Sequence, residues 1–197
     1  MVAIQYTEPV KFSYWAPLGS GGFVVSRIRS SLMSVKELID ASHTAIKEDA
    51  SRAAVTFVTS GKLVGTTEVT IHARHHELTV DEPPALGGED LGANPVEHAL
   101  IALASCQAIT YRFWAAQLGI ALDDLEVTAE GDLDLRGFLG IDEAIRPGFT
   151  DVRLTITPRG PEPLERYVEL AEAVDRHCPV LDLFTNLTPV ERIVITA

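Results

Sequence analysis

The pattern of hydrophobic and polar positions predicts an antiparallel meander in the first half of the chain. Residues 53–60, 66–74 and 75–82 are rich in β-branched residues that alternate with polar ones, and a turn at Gly61-Lys62 follows the first segment. Similar patterns predict two further strands at 125–135 and 150–158 and a last strand at 190–197. Residues 11–30 suggest one or two short strands around a glycine turn.

The strongest helix signal begins at Asn94. Asn94 is a favourable N-cap, Pro95 fits the first turn, and Glu97 stands at the spacing of a capping box. The helix is expected to run to about Leu118 and to end at Gly119. Its middle, ALIALASCQAIT, is apolar nearly all round, which predicts a buried helix.

Two more helices are predicted, one before the meander and one near the end of the chain. The first begins at Ser34, and the second runs from Pro163 to about His177, where Pro179 should stop it. The apolar stripe of the later helix is expected at Leu164, Val168, Ala171 and Val174. This order of elements predicts an α+β fold with antiparallel sheets around a buried central helix, without the βαβ units of a nucleotide-binding sheet.

Composition and charge narrow the class of protein. Hydrophobic residues make up 46% of the 197 residues, enough for a substantial core, and we expect one domain over residues 1–197 with 1–50 as an N-terminal extension. The net charge of −12 argues against nucleic acid and anionic lipid as partners. No signal peptide is visible and the longest apolar run is far shorter than the roughly 20 residues that span a bilayer, so a cytoplasmic protein is expected.

The two cysteines, Cys106 and Cys178, are the candidates for chemistry. Cys106 lies in the predicted buried helix, where a small core residue is the ordinary alternative, and a reactive thiol there requires a guanidinium or imidazole from elsewhere in the fold. Cys178 precedes Pro179 at a predicted helix end, where the negative end of the dipole disfavours a thiolate. If the two thiols meet, Cys106 attacks and becomes a sulfenic acid, and Cys178 condenses with it to a disulfide.

The contexts of the two cysteines resemble those of the OsmC/Ohr family of organic hydroperoxide reductases. GANPVEHALIALASC is followed far downstream by DRHCPV, and the likeness covers roughly residues 60–197. The resemblance implies an intertwined homodimer with its reactive sites at the interface. It further implies that organic hydroperoxides are reduced in oxidative stress defence without metal, flavin or another cofactor, using a small dithiol or lipoyl-type reductant.

The resemblance also implies roles for further residues. An arginine from the early strands would activate Cys106, and Arg74 is the choice by position, with Arg136 and Arg146 as runners-up. Glu97 would orient the arginine in the peroxidase branches, but it stands one residue later than the glutamate of those branches. Because one residue turns a helical side chain by about 100°, its capping-box role is the preferred interpretation.

Other interpretations of the same residues stay open. The histidines His72, His75, His76, His98 and His177 could suggest a metal site, but adjacent strand residues point to opposite faces, so solvent-facing or core-edge histidines are preferred. The chain could instead be a non-catalytic protein that binds a lipid-like ligand in an interface cleft. A cysteine hydrolase or acyltransferase would need a histidine base beside Cys106.

Overall fold

The computed structural model describes residues 34–196, which contain five α-helices and five strands. The helices are α1 (Val35–Glu48), α2 (Pro95–Leu118), α3 (Leu135–Phe138), α4 (Leu164–Asp175) and α5 (Pro179–Thr185). The strands are β1 (Thr59–Leu63), β2 (Val69–Ala73), β3 (His76–Val80), β4 (Asp124–Asp132) and β5 (Asp151–Arg159). The predicted α+β class with antiparallel sheets is confirmed, whereas the strands predicted within 11–30 lie outside the described residues.

The first sheet is the predicted meander, with its first strand shifted along the chain. In the order β1-β2-β3, Gly61 stands opposite Ile71 and Ala73 opposite His76. The predicted turn at Gly61-Lys62 is wrong, because both residues belong to β1. The chain turns instead after Val64, where the N–H groups of Val64 and Gly65 both donate to the carbonyl of Glu68.

A buried carboxylate holds the loop between β3 and α2. Asp81 accepts hydrogen bonds from the Thr67 hydroxyl (2.5 Å) and from the backbone N–H groups of Glu82 (2.9 Å), Glu89 (2.9 Å) and Leu91 (3.3 Å). These donors, led by the Thr67 hydroxyl, lower the pKa of Asp81 to about 2 against the opposing effect of burial. The loop that leads into α2 is therefore anchored to the first sheet by one ionised side chain.

Helix α2 has the ends that its sequence predicts. The Asn94 side chain accepts from the N–H of Glu97 (2.9 Å), and the Glu97 carboxylate accepts from the N–H of Asn94 (2.8 Å). Gly119 ends the helix at φ 63°, a left-handed conformation in which a Cβ would be strained. Among residues 34–196, no helix is both long and apolar enough to cross a bilayer.

The core lies between α2, α4 and the second sheet. Strands β4 and β5 pair antiparallel from Asp124 opposite Arg159 to Asp132 opposite Asp151, and alternate residues of both strands are half-buried. The hairpin, α4 and α5 all pack on α2. The buried cluster there is formed by Tyr111, Ala115, Ile120, Leu122, Tyr167, Leu170, Val174 and Cys178.

The buried face of helix α4 coincides only in part with the predicted stripe, of which Val174 is buried and Ala171 half-buried. Tyr167, Leu170, Ala173 and Val174 are buried, whereas Leu164 and Val168 of the predicted stripe are exposed. The Tyr167 hydroxyl donates to the carbonyl of Ala121 (3.1 Å), which helps to orient the helix against the start of the second sheet. The aromatic residue and its hydrogen bond therefore belong to the buried face that the aliphatic stripe did not predict.

The chain after α4 also differs from the prediction. Pro179 occupies the first position of a further helix, α5, and Cys178 is the N-cap residue that precedes it. Proline is favourable there, since the first turn of a helix needs no N–H from it. The predicted last strand is absent from the described residues beyond 186, where the apolar side chains Leu187, Val190, Ile193, Val194 and Ile195 are exposed.

We predict that Asp81→Asn destabilises the protein at neutral pH. The backbone N–H groups donate hydrogen bonds to the carboxylate of Asp81, and the NH2 group of asparagine cannot accept them. The folded-state pKa of Asp81 is lowered, so its contribution is present above the unfolded value near 3.8 and is lost as the pH falls towards 2. Thermal unfolding of wild type and variant at several pH values should show a gap in Tm that narrows below pH 4.

The matched control is Glu89→Gln, which removes a neighbouring exposed charge but keeps the backbone N–H that donates to Asp81. Its Tm should stay close to that of the wild type at every pH. A gap for Asp81→Asn that persists at its full size at acidic pH would show that the ionised carboxylate is not the anchor.

Candidate functional site

The structure brings the two cysteines together, although they are far apart in the sequence. Cys106 is half-buried on α2 and Cys178 is 2% exposed in the core cluster. Cys106 packs against the core cluster that contains Cys178, and it lies close enough to that thiol to raise its pKa. Both cysteines are free thiols in the structure.

The backbone of Cys178 joins two helices. Its N–H donates to the carbonyl of Val174 in the last turn of α4 (2.9 Å), and its carbonyl accepts from the N–H of Asp182 in α5 (3.1 Å). The residue is thus held from both sides by regular structure. Since α4 and α5 both pack on α2, this junction is what places the Cys178 sulfur beside Cys106.

The electrostatic environment of Cys178 differs from the predicted one. Burial raises the pKa of Cys178, and its contact with Cys106 acts in the same direction. The backbone N–H groups of Leu181 and Val180 at the start of α5 lower the pKa of the Cys178 thiol, but burial outweighs them. The raised pKa agrees with the expectation that a thiolate is disfavoured at Cys178, but burial rather than a helix C-terminus is its largest cause.

A cavity of about 790 Å³ lies on the side of α2 that faces β5, α4 and α5. It is bounded by these elements and the loop before β5, and its lining includes Gln107, the residue after Cys106, and Leu181, near Cys178 on α5, but neither cysteine itself. Its apolar walls are formed by Leu103, Phe149, Leu154, Ile156, Leu181 and Phe184. A volume of this size is typical of sites for small molecules.

Two polar side chains of α2 lie on the wall of this cavity. Gln107 is 1% exposed, and its side-chain nitrogen has no hydrogen-bond partner within residues 34–196. Leaving a buried donor unpaired costs about 1–3 kcal/mol. Tyr111 is also buried, and burial together with the Asp175 carboxylate raises its pKa to about 12, so its hydroxyl is protonated at neutral pH.

Arg74 and Glu97 lie away from the thiols within one chain. Arg74 is exposed in the turn between β2 and β3, at φ 58°, in a sheet that does not pack extensively on α2. Glu97 is exposed in the first turn of α2 and accepts the N-cap hydrogen bond described above. The capping role of Glu97 is confirmed, and the catalytic roles of both residues stay predictions.

The two runner-up arginines have different surroundings. Arg136 is exposed and paired with Asp134 (2.6 Å), which raises the pKa of the guanidinium. Arg146 lines the cavity between α2, β5, α4 and α5, together with the carboxylates of Asp151 and Asp175. Of the three arginines considered, Arg74, Arg136 and Arg146, only Arg146 lines this cavity.

The histidines do not assemble a metal centre in the described part of the chain. His75 lies in the β2–β3 turn rather than on a strand, and its ring is 4.0 Å from that of His76, so the expectation that the two point to opposite faces is wrong. His177 stacks on Trp114 at 4.0 Å, and its Nδ1 lies 2.7 Å from the carbonyl of Ala173. Residues 34–196 contain no group of three or more His, Cys, Asp or Glu side chains placed to hold a metal ion.

The sequence interpretation missed Gln107, Tyr111 and Asp175 as parts of the site. The one signal was Gln107, a polar residue within an otherwise apolar helical run. An amide there must find a partner or face a cavity. The neighbours that make up the rest of the wall come from β5, α4 and α5, and no local pattern brings these elements together.

The fold and the paired thiols define an α+β protein with a two-cysteine site. The family model described as OsmC-like protein matches residues 87–192, a segment that contains both cysteines. Because this match covers more than half of the chain, the protein belongs to the OsmC-like family. No functionally curated protein matches the sequence.

Solved structures share the fold at low sequence identity. An OsmC-like protein from Mycoplasma pneumoniae aligns with a TM-score of 0.59 and 18% identity, over 68% of this chain and 89% of the other. An organic hydroperoxide resistance protein from Legionella pneumophila aligns with a TM-score of 0.52 and 22% identity, over 66% and 89%. A third, from Elizabethkingia anophelis, is also an organic hydroperoxide resistance protein, with a TM-score of 0.52 and 21% identity over 66% and 88%.

We predict that mild oxidation links Cys106 to Cys178 within one chain, because the two thiols lie close enough for Cys106 to raise the pKa of Cys178. Peptide mapping by mass spectrometry without reduction should recover the peptide pair that contains this disulfide, and the oxidised protein should migrate as a single chain on a denaturing gel. Stable free thiols, or a disulfide between two chains, would contradict the placement.

Proposed function

We propose that the protein is a two-cysteine peroxidase that reduces organic hydroperoxides in oxidative stress defence. The observation that carries the proposal is the closeness of Cys106 and Cys178. Membership in the OsmC-like family supports a redox role related to stress. The cavity between α2, β5, α4 and α5, with its apolar walls, gives an alkyl chain a place to lie.

The proposed chemistry takes three balanced steps. The Cys106 thiolate attacks the distal oxygen of the hydroperoxide ROOH, the O–O bond breaks, and ROH leaves after taking up one proton, so that Cys106 becomes a sulfenic acid. The Cys178 sulfur then attacks Cys106, forming the S–S bond and releasing water. A small dithiol, such as a reduced lipoyl group, reduces the disulfide by exchange and is itself oxidised to a cyclic disulfide.

The surroundings of the two cysteines assign the first attack to Cys106 and the closing of the disulfide to Cys178. Burial raises the pKa of Cys178, so this thiol stays protonated at neutral pH and is the poorer first nucleophile. Cys106 is the more exposed of the two and can be reached by a peroxide. Once Cys106 is oxidised, the adjacent Cys178 needs to lose its proton before it can close the disulfide.

The proposal includes a homodimer in which the two chains intertwine. Helix α2 exposes a second apolar side, with Ile101, Ile109 (60% exposed) and Phe113 accessible in the single chain. The segment after α5 extends with five exposed aliphatic side chains and no strand beside it. Exposed apolar surface of this kind is typical of an interface between subunits.

The dimer also offers a cation for Cys106. Because the sheet that carries the β2–β3 turn makes no extensive contact with α2 within residues 34–196, we assign the activation of Cys106 to Arg74 of the partner subunit. A guanidinium beside the sulfur stabilises the thiolate and the charge that develops on the departing oxygen. Glu97, which caps α2, would hold the helix start in place rather than orient this arginine.

We predict that Cys106→Ser abolishes the consumption of cumene hydroperoxide with dithiothreitol as reductant, because no sulfur remains for the first attack. Cys178→Ser should still react once with peroxide and accumulate a sulfenic acid that dimedone traps. In the wild type, closure of the disulfide should become faster from neutral to alkaline pH, because the raised pKa of Cys178 keeps its thiol protonated at neutral pH. Stopped-flow measurement of each step separates the two rates.

The outcome that would falsify the mechanism is an unchanged rate of peroxide consumption in Cys106→Ser. If disulfide closure does not depend on pH, the proposed peroxidase function stands, but the role assigned to the deprotonation of Cys178 is wrong. Circular dichroism on both variants verifies that the fold is retained.

We predict that Ile109→Glu converts the dimer into a monomer and lowers the rate of peroxide consumption at least tenfold, since Arg74 and Cys106 would no longer meet. Sedimentation velocity measures the oligomeric state of wild type and variant at the concentration of the assay. The control Ala41→Glu adds the same charge to an exposed position of α1 and should remain dimeric and active. A wild-type protein that sediments as a monomer and is fully active contradicts both the dimer and the trans-acting arginine.

A further inference from the structure

Cys106 and Cys178 are a pair of sulfur donors as well as a candidate redox pair. Both are free thiols, Cys178 belongs to the buried core cluster, and Cys106 packs against that cluster. Thiolate sulfur is a soft ligand, and the ions that bind it best are soft and easily polarised. The pair therefore has a second possible chemistry that requires no peroxide and no transfer of electrons.

The backbone fixes the position of the deeper sulfur donor. The N–H of Cys178 donates to the carbonyl of Val174 (2.9 Å), and its carbonyl accepts from the N–H of Asp182 (3.1 Å). Two donors that are held close together bind one ion more tightly than two separate thiols, because the second donor is present at a high effective concentration. An ion bound by Cys106 thus finds its second ligand within the same chain.

The donor set in the described residues consists of the two sulfurs. His177 directly precedes Cys178, but its ring is stacked on Trp114 at 4.0 Å and its Nδ1 lies 2.7 Å from the carbonyl of Ala173. Within residues 34–196 the thiols join no larger group of His, Cys, Asp or Glu side chains that could hold a metal ion. Two donors suit an ion that is stable with two ligands in a line, whereas Zn²⁺ takes four ligands.

Burial determines the charge of the complex that this place favours. Cys178 is 2% exposed, and its neighbours in the core cluster include Leu170 and Val174, which are fully buried. A net charge in such apolar surroundings is costly. Two thiolates and a divalent ion form a neutral complex, whereas two thiolates and a monovalent ion such as Cu⁺ leave one negative charge. The core therefore favours the divalent ion.

We propose that Cys106 and Cys178 form a two-coordinate site for a soft divalent ion, represented by Hg²⁺, and that the complex is neutral. The half-buried Cys106 binds first, when its S–H proton leaves and an S–Hg bond replaces one chloride or water ligand of the ion. Cys178 then loses its proton and displaces a second ligand, so that one ion enters, two protons leave, and neither sulfur nor mercury changes its oxidation state. The site does not depend on the peroxidase function, because it requires only that the two sulfurs lie together.

Retention of mercury against a competing monothiol tests the site. The reduced protein is loaded with one equivalent of HgCl2, challenged with about a hundredfold excess of glutathione and separated by gel filtration, after which mercury is measured in the protein fraction. We expect the wild type to retain about one ion per chain, and Cys106→Ser and Cys178→Ser to retain at least about tenfold less, since each keeps one sulfur. The mass of the denatured complex should equal one chain plus one mercury minus two hydrogens.

The matched control changes the neighbouring nitrogen ligand instead of a sulfur. His177→Asn removes the imidazole but keeps a side-chain N–H group that can donate to the carbonyl of Ala173, and it should retain as much mercury as the wild type. X-ray absorption at the mercury edge should show two sulfur neighbours in the wild type, a measurement that needs no substitution in the core. The assignment is overturned by wild-type retention no higher than that of the single-cysteine variants, by loss of the ion in His177→Asn, or by a third sulfur or nitrogen neighbour.

The peroxidase proposal is judged by a separate measurement, the consumption of cumene hydroperoxide by the reduced protein without added metal. Mercury retention without peroxide consumption supports the metal site and contradicts the peroxidase. Peroxide consumption without mercury retention supports the peroxidase and contradicts the metal site.

Discussion

Helix α2 is apolar over most of its circumference, and residues 34–196 cover only one side of it. The side with Leu103, Gln107 and Tyr111 packs against the second sheet, α4 and α5, while Ile101 and Ile109 remain exposed. Apolar surface of this extent in water is unfavourable at about 25 cal/mol for each Å². The position of the thiols and the shape of the cavity both follow from how this helix is covered.

The covered side bears on how a buried cysteine could take part in the proposed chemistry. Cys178 is surrounded by the core cluster and held by backbone hydrogen bonds at the junction of α4 and α5. In the proposed mechanism this fixed position makes the closing of the disulfide effectively unimolecular, which is the usual advantage of preorganised reacting groups.

Local signals in the sequence predict an element well where residues within one helical turn determine its ends. The capping box at Asn94 and Glu97 and the left-handed Gly119 define α2, because each acts within one turn of the helix. The register of β1 was not predictable from alternation alone, since Gly61 continues the strand rather than ending it. Pro179 was interpreted only as a stop, although proline is equally suited to begin the next helix.

The candidate cysteines of the site could be predicted from the sequence, whereas the surroundings of the site could not. Two cysteine contexts identified Cys106 and Cys178, but their meeting depends on the packing of α4 and α5 on α2, which involves residues far apart in the sequence. The buried face of α4 was predicted only in part, because the expected stripe omitted Tyr167 and Leu170, which the packing on α2 buries. Gln107 stood out in the sequence only as an interruption of an apolar run.

Leu181 connects the thiols to the cavity through a single residue. Its backbone N–H lowers the pKa of the Cys178 thiol, and the residue also lines the cavity. In the proposed mechanism, any ligand that distinguishes the reduced wall from the oxidised one would shift the reduction potential of the Cys106–Cys178 couple by the same free energy. Occupancy of the cavity and the electron balance of the thiols would in this way be two readouts of one equilibrium.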